Sequence, residues 1–432
     1  MNKLASNILF LISEKFLIII INLVSNIFVI RYLGVEDFGK LALFQVYYAL
    51  LVAISEFGLR RIYSSLTTIS REKLLFRQCF KIKVITSSLL GGAILCVLAI
   101  SSGTDCYYYF LLLAVIASPF ELFVYHFEAN LQNQLLVKIR VLLSVFLAAL
   151  RVVLCLIQAD FYLIVLTFAI NNLLINFICS YLVSKSISLA IPIKSKYIRK
   201  IVSTHIVERS FFFWISMIIV QVNMRTDQLL LSNIASVTDV GIYAGAYKLV
   251  EQLMMIPSIL SSVFLPYISK NKNINKTEYL KKLYASTLAL SIPICAIAIL
   301  VAPYLLPMLL GKSFIQSVSV FQILCIAFPF LALANLSGLY YSLNMLEKYA
   351  VYRNFLGLIS SVILNYFFIS SMGPEGAALS VLISYFLMTF VYELFLKKTQ
   401  ENSILKINSV SLLFTVSFYK DLLSIVKAKR RV

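Results

Sequence analysis

Long apolar runs alternate with short polar stretches along the whole chain, and this pattern predicts membrane-spanning helices. A span needs about 20 predominantly apolar residues. Twelve stretches meet this requirement: 6–30, 40–59, 84–102, 107–128, 140–158, 161–184, 206–233, 241–267, 284–306, 318–343, 351–371 and 376–396. The pattern therefore predicts an all-α polytopic membrane protein with about twelve transmembrane helices.

The composition agrees with this prediction. The chain has 432 residues, of which 61% are hydrophobic and 13% are charged, whereas soluble domains carry about 25% charged residues. Five of the seven cysteines lie inside apolar runs, so no disulfide framework is expected. The only histidines are His126 and His205, and no phosphate-binding motif is present. We therefore expect neither a metal site nor a cofactor.

The basic residues predict the orientation in the membrane. The even-numbered predicted loops and the C-terminal tail hold 29 Lys and Arg residues, and the odd-numbered loops hold 3. Because Lys and Arg accumulate on the cytoplasmic side, both termini are expected in the cytoplasm. The net charge of +19 is then mainly a topology signal, and it does not indicate a nucleic-acid partner.

Two short internal matches predict a duplicated architecture. The first predicted helix contains Glu14-Lys15 and the seventh contains Glu208-Arg209, while Asp37-Phe38-Gly39 and Asp239-Val240-Gly241 follow at corresponding places. The predicted organisation is a six-helix lobe over 1–190, a cytoplasmic linker over 191–205, a second six-helix lobe over 206–396 and a basic cytoplasmic tail over 397–432. An interfacial amphipathic helix is an alternative for part of that tail.

The predicted span 206–233 is unusually polar. Helical spacing places Asn223 and Asp227 on one face, and Gln221, Arg225 and Gln228 on another. Charges inside a membrane are costly, so such a helix is expected to face protein or water. In the next predicted helix, Tyr243, Tyr247 and Glu251 share a stripe that Lys248 adjoins. We interpret this hairpin as half of a polar transport path.

Three further spans carry polar side chains. Lys15, Asn22 and Asn26 share one stripe of the first helix with Glu14 close by, and Glu121 lies in the fourth. Arg151 lies near the middle of the fifth with no acid within one turn. Hydrogen bonding between helices is the structural alternative for these side chains. An arginine at that depth requires an acid on another helix, water or an anionic ligand.

Several short motifs occur in order along the chain. They are Arg31-Tyr32-Leu33-Gly34 with Asp37-Phe38-Gly39, Asp227-Gln228-Leu229-Leu230-Leu231 with Val240-Gly241-Ile242-Tyr243-Ala244, Pro257, Pro266-Tyr267-Ile268-Ser269, and Asn365-Tyr366-Phe367-Phe368-Ile369 with Gly373-Pro374-Glu375-Gly376-Ala377-Ala378. These motifs resemble those of the O-antigen (Wzx-type) flippases of the multidrug/oligosaccharidyl-lipid/polysaccharide export superfamily. The resemblance extends to about Leu396.

The resemblance implies two six-helix lobes around a central cleft and transport by alternating access. The implied substrate is an undecaprenyl-diphosphate-linked O-antigen or other polysaccharide unit, moved across the bacterial cytoplasmic (inner) membrane. Implied partners are this lipid-linked oligosaccharide, membrane lipids, a polysaccharide polymerase and a chain-length regulator. For this substrate we expect contacts from Lys15, Asn22, Asn26, Arg151, Arg209, Arg225 and Lys248. Candidates for ion coupling are Glu14, Glu121, Asp227 and Glu251.

Two other functions are weighed against this one. A cation-coupled drug exporter of the same superfamily is the first, although a cavity rich in Arg and Lys suits an anion better. A membrane glycosyltransferase or polymerase is the second. Glu36-Asp37 superficially resembles a catalytic acid pair, but the predicted external loops are short. We therefore expect a transporter and not an enzyme.

The predicted topology can be tested with alkaline phosphatase fusions. Fusions at Gly103 and Gly373 are expected to be active, because both positions lie in predicted external loops. Fusions at Lys196 and Lys272 are expected to be inactive. Activity at Lys196 would contradict the division into two lobes.

Overall fold

The computed structural model describes residues 3–60, 63, 72–100, 105–129, 133–184, 210–211, 214–254, 257–258 and 275–415, with side chains from Leu17 onward in the first helix. These residues are helical almost throughout and contain no β-strand. They divide into two compact units, Met1–Arg225 and Thr226–Val432. The predicted all-α class is confirmed.

The first unit consists of seven α-helices and one 3₁₀ helix among its described residues. They are α1 (Lys3–Glu56), α2 (Glu72–Ile100), the 3₁₀ helix (Cys106–Leu111), α3 (Leu112–Ala117), α4 (Glu121–Ala129), α5 (Asn133–Leu156), α6 (Phe161–Ser184) and α7 (Trp214–Asn223). Helix α1 packs against α5, and α5 packs against α6.

Two of these helices are interrupted. Helix α1 has 54 residues and changes direction at Gly34, whose φ of 69° is a backbone conformation that residues with a Cβ rarely adopt. Helices α3 and α4 form a pair bent by 42°. The sequence between them is Ser118-Pro119-Phe120, and a proline both lacks the amide donor and clashes with the preceding turn. Because α1 changes direction at Gly34, the predicted spans 6–30 and 40–59 both fall largely within this one helix.

The second unit has eight α-helices among its described residues. They are α8 (Thr226–Ile234), α9 (Val237–Leu253), α10 (Lys276–Leu310), α11 (Ser317–Leu343), α12 (Glu347–Met372), α13 (Pro374–Phe386), α14 (Tyr392–Phe395) and α15 (Gln400–Leu412). A π-helical turn, Leu387–Val391, joins α13 to α14. Helix α11 packs against α9, α10 and α13.

The hairpin between α12 and α13 shows why one motif of the sequence contains glycine. A Cβ atom on Gly376 would clash with the carbonyl oxygen of Phe368. No side chain fits at this position, so the two helices approach closely only because residue 376 has none.

Each unit has its own apolar core. In the first unit, Tyr63, Phe76, Phe123 and Tyr125 belong to one buried cluster. In the second unit, Tyr284, Leu336, Tyr340 and Tyr341 belong to another. Aromatic side chains bury large areas, so these clusters position the helices that carry the charged residues described below.

The described residues form eight helices long and apolar enough to cross a membrane, or nine if the bent pair α3–α4 counts as one span. All twelve predicted spans overlap described helices. The chain is therefore a multi-pass membrane protein, in approximate agreement with the predicted count. The predicted linker over 191–205 and residues 416–432 of the tail lie outside the described residues.

The structure corrects the prediction for the seventh span. A turn at Met224–Arg225 separates α7 from α8, so the faces predicted for one continuous helix do not exist as such. Asp227 lies in the first turn of α8. A carboxylate at that position stabilises a new helix N-terminus, which favours a break in this polar stretch.

The structure also corrects the predicted placement of three basic residues that the charge pattern assigned to cytoplasmic segments. Lys83, Arg353 and Lys406 are buried within the helical bundle, with relative exposures of 0%, 5% and 0%. Each has an acidic partner. Such pairing is what allows a charge to remain in an apolar environment.

Candidate functional site

Arg151 lies on α5 and is the clearest candidate for an anion contact. It is 5% exposed. Its Nε donates to Thr167 Oγ1 at 3.2 Å and its Nη2 to the Thr167 carbonyl at 3.4 Å. The guanidinium lies over the Phe168 ring, 3.8 Å from the centroid. Among the described residues it forms no ion pair with an acid, so its charge is balanced only by dipoles and a ring face.

Part of the polar stripe predicted on the first helix lies beside this position. Asn26 is buried and Asn22 is half-buried. Ser25 Oγ is 3.5 Å from the carbonyl of Ala148, three residues before Arg151 on α5. The structure therefore brings this stripe to the turn of α5 that carries the arginine.

Three predicted residues have no described side chain. Glu14 and Lys15 are in α1, but the side chains before Leu17 are outside the described set, and Arg209 lies outside the described residues altogether. Their roles stay predictions.

Glu121, at the first turn of α4, pairs with a lysine on another helix. Lys83 Nζ lies 2.5 Å from Glu121 Oε2, and it also contacts Ser118 Oγ at 3.3 Å and the Tyr125 hydroxyl at 3.4 Å. Lys83 is fully buried, and Glu56, 7% exposed, lies at the end of α1. Broken helices are frequent places for charged sites in transporters, and the bend between α3 and α4 brings Ser118 and Glu121 to one lysine.

Glu128, at the other end of α4, binds two arginines. Arg60 Nη2 is 2.7 Å from Glu128 Oε1, and Arg140 Nη2 is 3.1 Å from the same oxygen. All three side chains are partly exposed, so these pairs contribute little to stability.

Asp227 is buried at the start of α8, with 3% exposure. The hydroxyl of Tyr243 donates to Asp227 Oδ2. The Tyr243 ring stacks on Tyr247, with centroids 5.8 Å apart and planes inclined by 17°. Gln228 is also buried. The structure thus joins the polar stretch of α8 to the tyrosine stripe of α9.

Lys248 and Glu251 pair with each other on α9, with Lys248 Nζ 3.2 Å from Glu251 Oε2. The two residues are three positions apart, which makes them neighbours on the helix surface. Arg225 is half-buried in the turn before α8. The contribution of these three residues to substrate binding or coupling stays a prediction.

A buried charged cluster in the second unit was not predicted as a site. Glu393 accepts from Arg353 Nη1 at 3.0 Å and from the Tyr341 hydroxyl at 3.0 Å. It also accepts from Asn402 Nδ2 at 2.8 Å and from Lys406 Nζ at 2.7 Å. We call these five residues the Glu393 cluster. All four donors come from other helices, so one carboxylate connects α11, α12, α14 and α15.

The electrostatics of the cluster follow from its burial. Glu393 and Lys406 are fully buried. Burial lowers the pKa of Lys406 to about 8, while the adjacent Glu393 carboxylate opposes that shift. The ammonium form therefore still predominates at pH 7. The Thr389 carbonyl, in the π-helical turn, accepts a further bond from Lys406 Nζ at 3.0 Å.

Each unit carries candidate residues of its own, a cation and two amides in the first and a cation and two tyrosines in the second. The described residues contain no group of three or more potential metal ligands. Arginine and lysine bind phosphate oxygens, and amides and tyrosine rings suit sugars, so these side-chain types are suited to binding a polar, anionic molecule.

The chain belongs to the polysaccharide biosynthesis protein family, whose model matches residues 4–272. Comparison with curated proteins gives no match.

The fold is similar to that of several solved membrane proteins. One similar solved structure is the lipid II flippase MurJ in its inward closed conformation, with 16% identity over 96% of this chain and 95% of that chain and a TM-score of 0.72. A multidrug resistance MATE family transporter of the MOP superfamily, in an inward-facing conformation, gives 15% identity over 89% and 94% with a TM-score of 0.60. The eukaryotic MATE transporter AtDTX14 gives 15% identity over 94% of this chain and 97% of that chain, with a TM-score of 0.55. These identities show a common fold.

The buried Lys83–Glu121 pair yields a stability prediction. Glu121→Gln is expected to lower stability by about 3–5 kcal/mol, because it leaves the Lys83 ammonium buried without its acid. The double variant Lys83→Met with Glu121→Gln should recover at least half of that loss. Thermal unfolding of the detergent-purified protein measures both effects.

The exposed pair Lys282–Glu278 on α10 is the matched control. Glu278→Gln should change stability by less than about 1 kcal/mol. Equal effects at Glu121 and Glu278 would show that the buried pair has no special stabilising role.

Proposed function

We propose that this protein is a flippase that moves an undecaprenyl-diphosphate-linked polysaccharide unit, such as an O-antigen repeat, across the bacterial cytoplasmic membrane by alternating access. The family match supports a role in polysaccharide biosynthesis. The similarity to a lipid II flippase supports a lipid-linked substrate. The motifs identify no particular sugar.

The observation that carries the proposal is the environment of Arg151. A permanently charged guanidinium is buried in a membrane helix, and its described partners are one hydroxyl, one carbonyl and one ring. Keeping an arginine there without an acid is costly. An anionic substrate that passes this position would supply the missing counter-charge.

The other basic residues predicted to contact the substrate extend the proposal to a series of anion contacts across the membrane. A diphosphate cannot cross about 30 Å of hydrocarbon unaided. In the proposal, Lys15 and Arg209 act toward the cytoplasmic side, Arg151 near the middle, and Arg225 and Lys248 toward the outside. Asn22 and Asn26 contribute hydrogen bonds, while the polyprenyl tail remains in lipid. Each contact must be weak enough to release its ligand.

An ion gradient is the proposed energy source. Asp227 is a buried carboxylate that accepts from Tyr243, so protonation or cation binding there would change the bonding between α8 and α9. Glu14, Glu121 and Glu251 are further candidates, although Glu121 and Glu251 already pair with lysines.

Asp227→Asn should reduce flipping more than it reduces protein level. Flipping in vesicles that is indifferent to both proton and sodium gradients would exclude coupling.

The similarity to MATE transporters supports a second candidate, a cation-coupled drug exporter. The environment of Arg151 favours an anion over a cation as the transported species. Efflux of cationic dyes by the purified protein would favour the exporter. A glycosyltransferase or polymerase activity has no support from the arrangement of the described residues.

The proposal places both termini in the cytoplasm and the protein in the inner membrane. Its proposed partners are the lipid-linked oligosaccharide, membrane lipids, a polysaccharide polymerase and a chain-length regulator. The 29-to-3 distribution of Lys and Arg supports the orientation, although three of those cations are buried in helices.

Complementation of a flippase-deficient strain tests the role of Arg151. Arg151→Ala should reduce surface polysaccharide at least roughly tenfold at normal protein level, equivalent to about 1.4 kcal/mol of lost stabilisation. Arg151→Lys should retain much of the activity, because the charge is kept. Surface polysaccharide per molecule of inserted protein is the measurement.

The matched control is Thr167→Val, which removes the hydroxyl that accepts from Arg151 but leaves the cation. It should retain most of the activity. If simultaneous alanine substitutions at Arg151, Arg225 and Lys248 left surface polysaccharide unchanged, these cations would be structural and the cationic path would be wrong.

A further inference from the structure

Helix α15 buries polar side chains that a helix on a water-exposed surface would expose. Its buried side chains include Asn402, Ser403, Lys406 and Ser409, all with 0% exposure. Its exposed side chains include three large aliphatic ones together with the polar Gln400, Glu401, Asn408 and Ser411. A helix at a water-exposed surface normally buries its apolar stripe and exposes its polar one.

The outward apolar side chains form a single stripe. Ile404, Ile407 and Val410 are spaced by three residues, which places them on one face of α15, and Phe414 follows in the turn after the helix ends at Leu412. Their exposures are 43%, 48%, 41% and 85%. We call these four residues the apolar ridge. A contiguous exposed apolar surface of this kind marks contact with a membrane or a protein.

The helix cannot turn over to bury the ridge. Asn402 and Lys406 both donate to Glu393 as part of the Glu393 cluster. Asn402 also accepts from the Tyr284 hydroxyl at 2.7 Å, and Ser403 Oγ donates to the Phe390 carbonyl at 3.2 Å. Rotation would strand several buried polar groups, each at a substantial cost. The polar face is fixed inward and the ridge is fixed outward.

The length of α15 excludes a membrane crossing. Its 13 residues extend about 20 Å, whereas a span must cross about 30 Å. It begins four residues after Leu396, and Phe395, at the end of α14, is 82% exposed. Helix α15 packs against α10, whose outward residues Leu300 and Met308 are 75% and 73% exposed. The ridge thus belongs to a helix packed beside a candidate membrane span that itself exposes large apolar side chains.

The charge of the following segment fits an anionic leaflet. After Thr415 the sequence has Lys420, Lys427, Lys429, Arg430 and Arg431, against the single acid Asp421. Basic residues next to a membrane helix are attracted to anionic head groups. Apolar residues that contact acyl chains and basic residues that contact head groups are the two features of an interfacial helix.

We propose that α15 lies in the plane of the membrane, with the apolar ridge inserted among the acyl chains of an anionic leaflet and the Glu393 cluster holding it in place. Residues 400–412 are then a membrane-associated part of the second unit and not part of a free cytoplasmic tail. This inference does not depend on the transported substrate.

Site-directed spin labelling of the full chain in vesicles of phosphatidylethanolamine and phosphatidylglycerol tests the proposal. The exposed Cys96 and Cys106 are first replaced by serine. Nitroxides are then placed at Ile407→Cys, at Leu300→Cys as the lipid-facing reference, and at Asn275→Cys, an exposed loop position, as the water reference. Accessibility to oxygen is compared with accessibility to a water-soluble nickel complex.

The Ile407 label should have an oxygen-to-nickel ratio several times that of Asn275 and close to that of Leu300, because oxygen concentrates among acyl chains and the nickel complex does not. A ratio equal to that of Asn275 would place the ridge in water and overturn the proposal. Protection from both reagents would overturn it as well, since it would show that the ridge is covered by another protein surface, such as a second copy of the chain.

The role of the cluster is tested in the same labelled background. Lys406→Ala should move the Ile407 ratio at least halfway toward the water reference, because it removes two of the bonds that fix the polar face. Asn402→Ala is the milder variant if the first fails to insert. An unchanged ratio in an inserted variant of either kind would show that the cluster does not hold the helix.

Discussion

The structure depends on one constraint: charged side chains that are buried away from water must be stabilised by partners inside the protein. A charge in an apolar environment must have a partner, because the cost of desolvation is far greater than that of most other local defects. Lys83 and Lys406 are fully buried, and each lies within 2.7 Å of a carboxylate oxygen. These pairs fix the relative positions of helices that apolar packing alone would leave free to slide.

Arg151 satisfies the same constraint in a different way, and this difference indicates function. Its contacts among the described residues are a hydroxyl, a carbonyl and an aromatic face, which stabilise a cation less than a carboxylate does. A cation whose charge a carboxylate already balances gains less from a second anion than a cation held by dipoles gains from its first. This difference is the physical basis for proposing an anionic substrate.

The sequence was sufficient to predict the helices, because the apolar runs are long. The functional candidates were chosen because each charge within those runs is conspicuous, and their roles stay predictions. Partners on other helices were not predictable. Lys83, Arg353 and Lys406 lie at the ends of apolar runs, where loop and helix residues look alike, so the charge pattern assigned them to cytoplasmic segments. The break after Asn223 was missed for a related reason, since hydropathy averages over a window longer than a turn. The inward polar face of α15 depends on Glu393, which precedes it by only seven residues but lies on another helix.

Translocation by the purified protein in proteoliposomes tests the central claim most directly. The substrate is an undecaprenyl-diphosphate-linked oligosaccharide, and its appearance in the opposite leaflet is followed by lectin binding. The account predicts rapid movement of this substrate, slow movement of the same oligosaccharide on an uncharged polyprenyl ether, and loss of the difference in Arg151→Ala. Equal movement of the charged and uncharged lipids by the unmodified protein would contradict it.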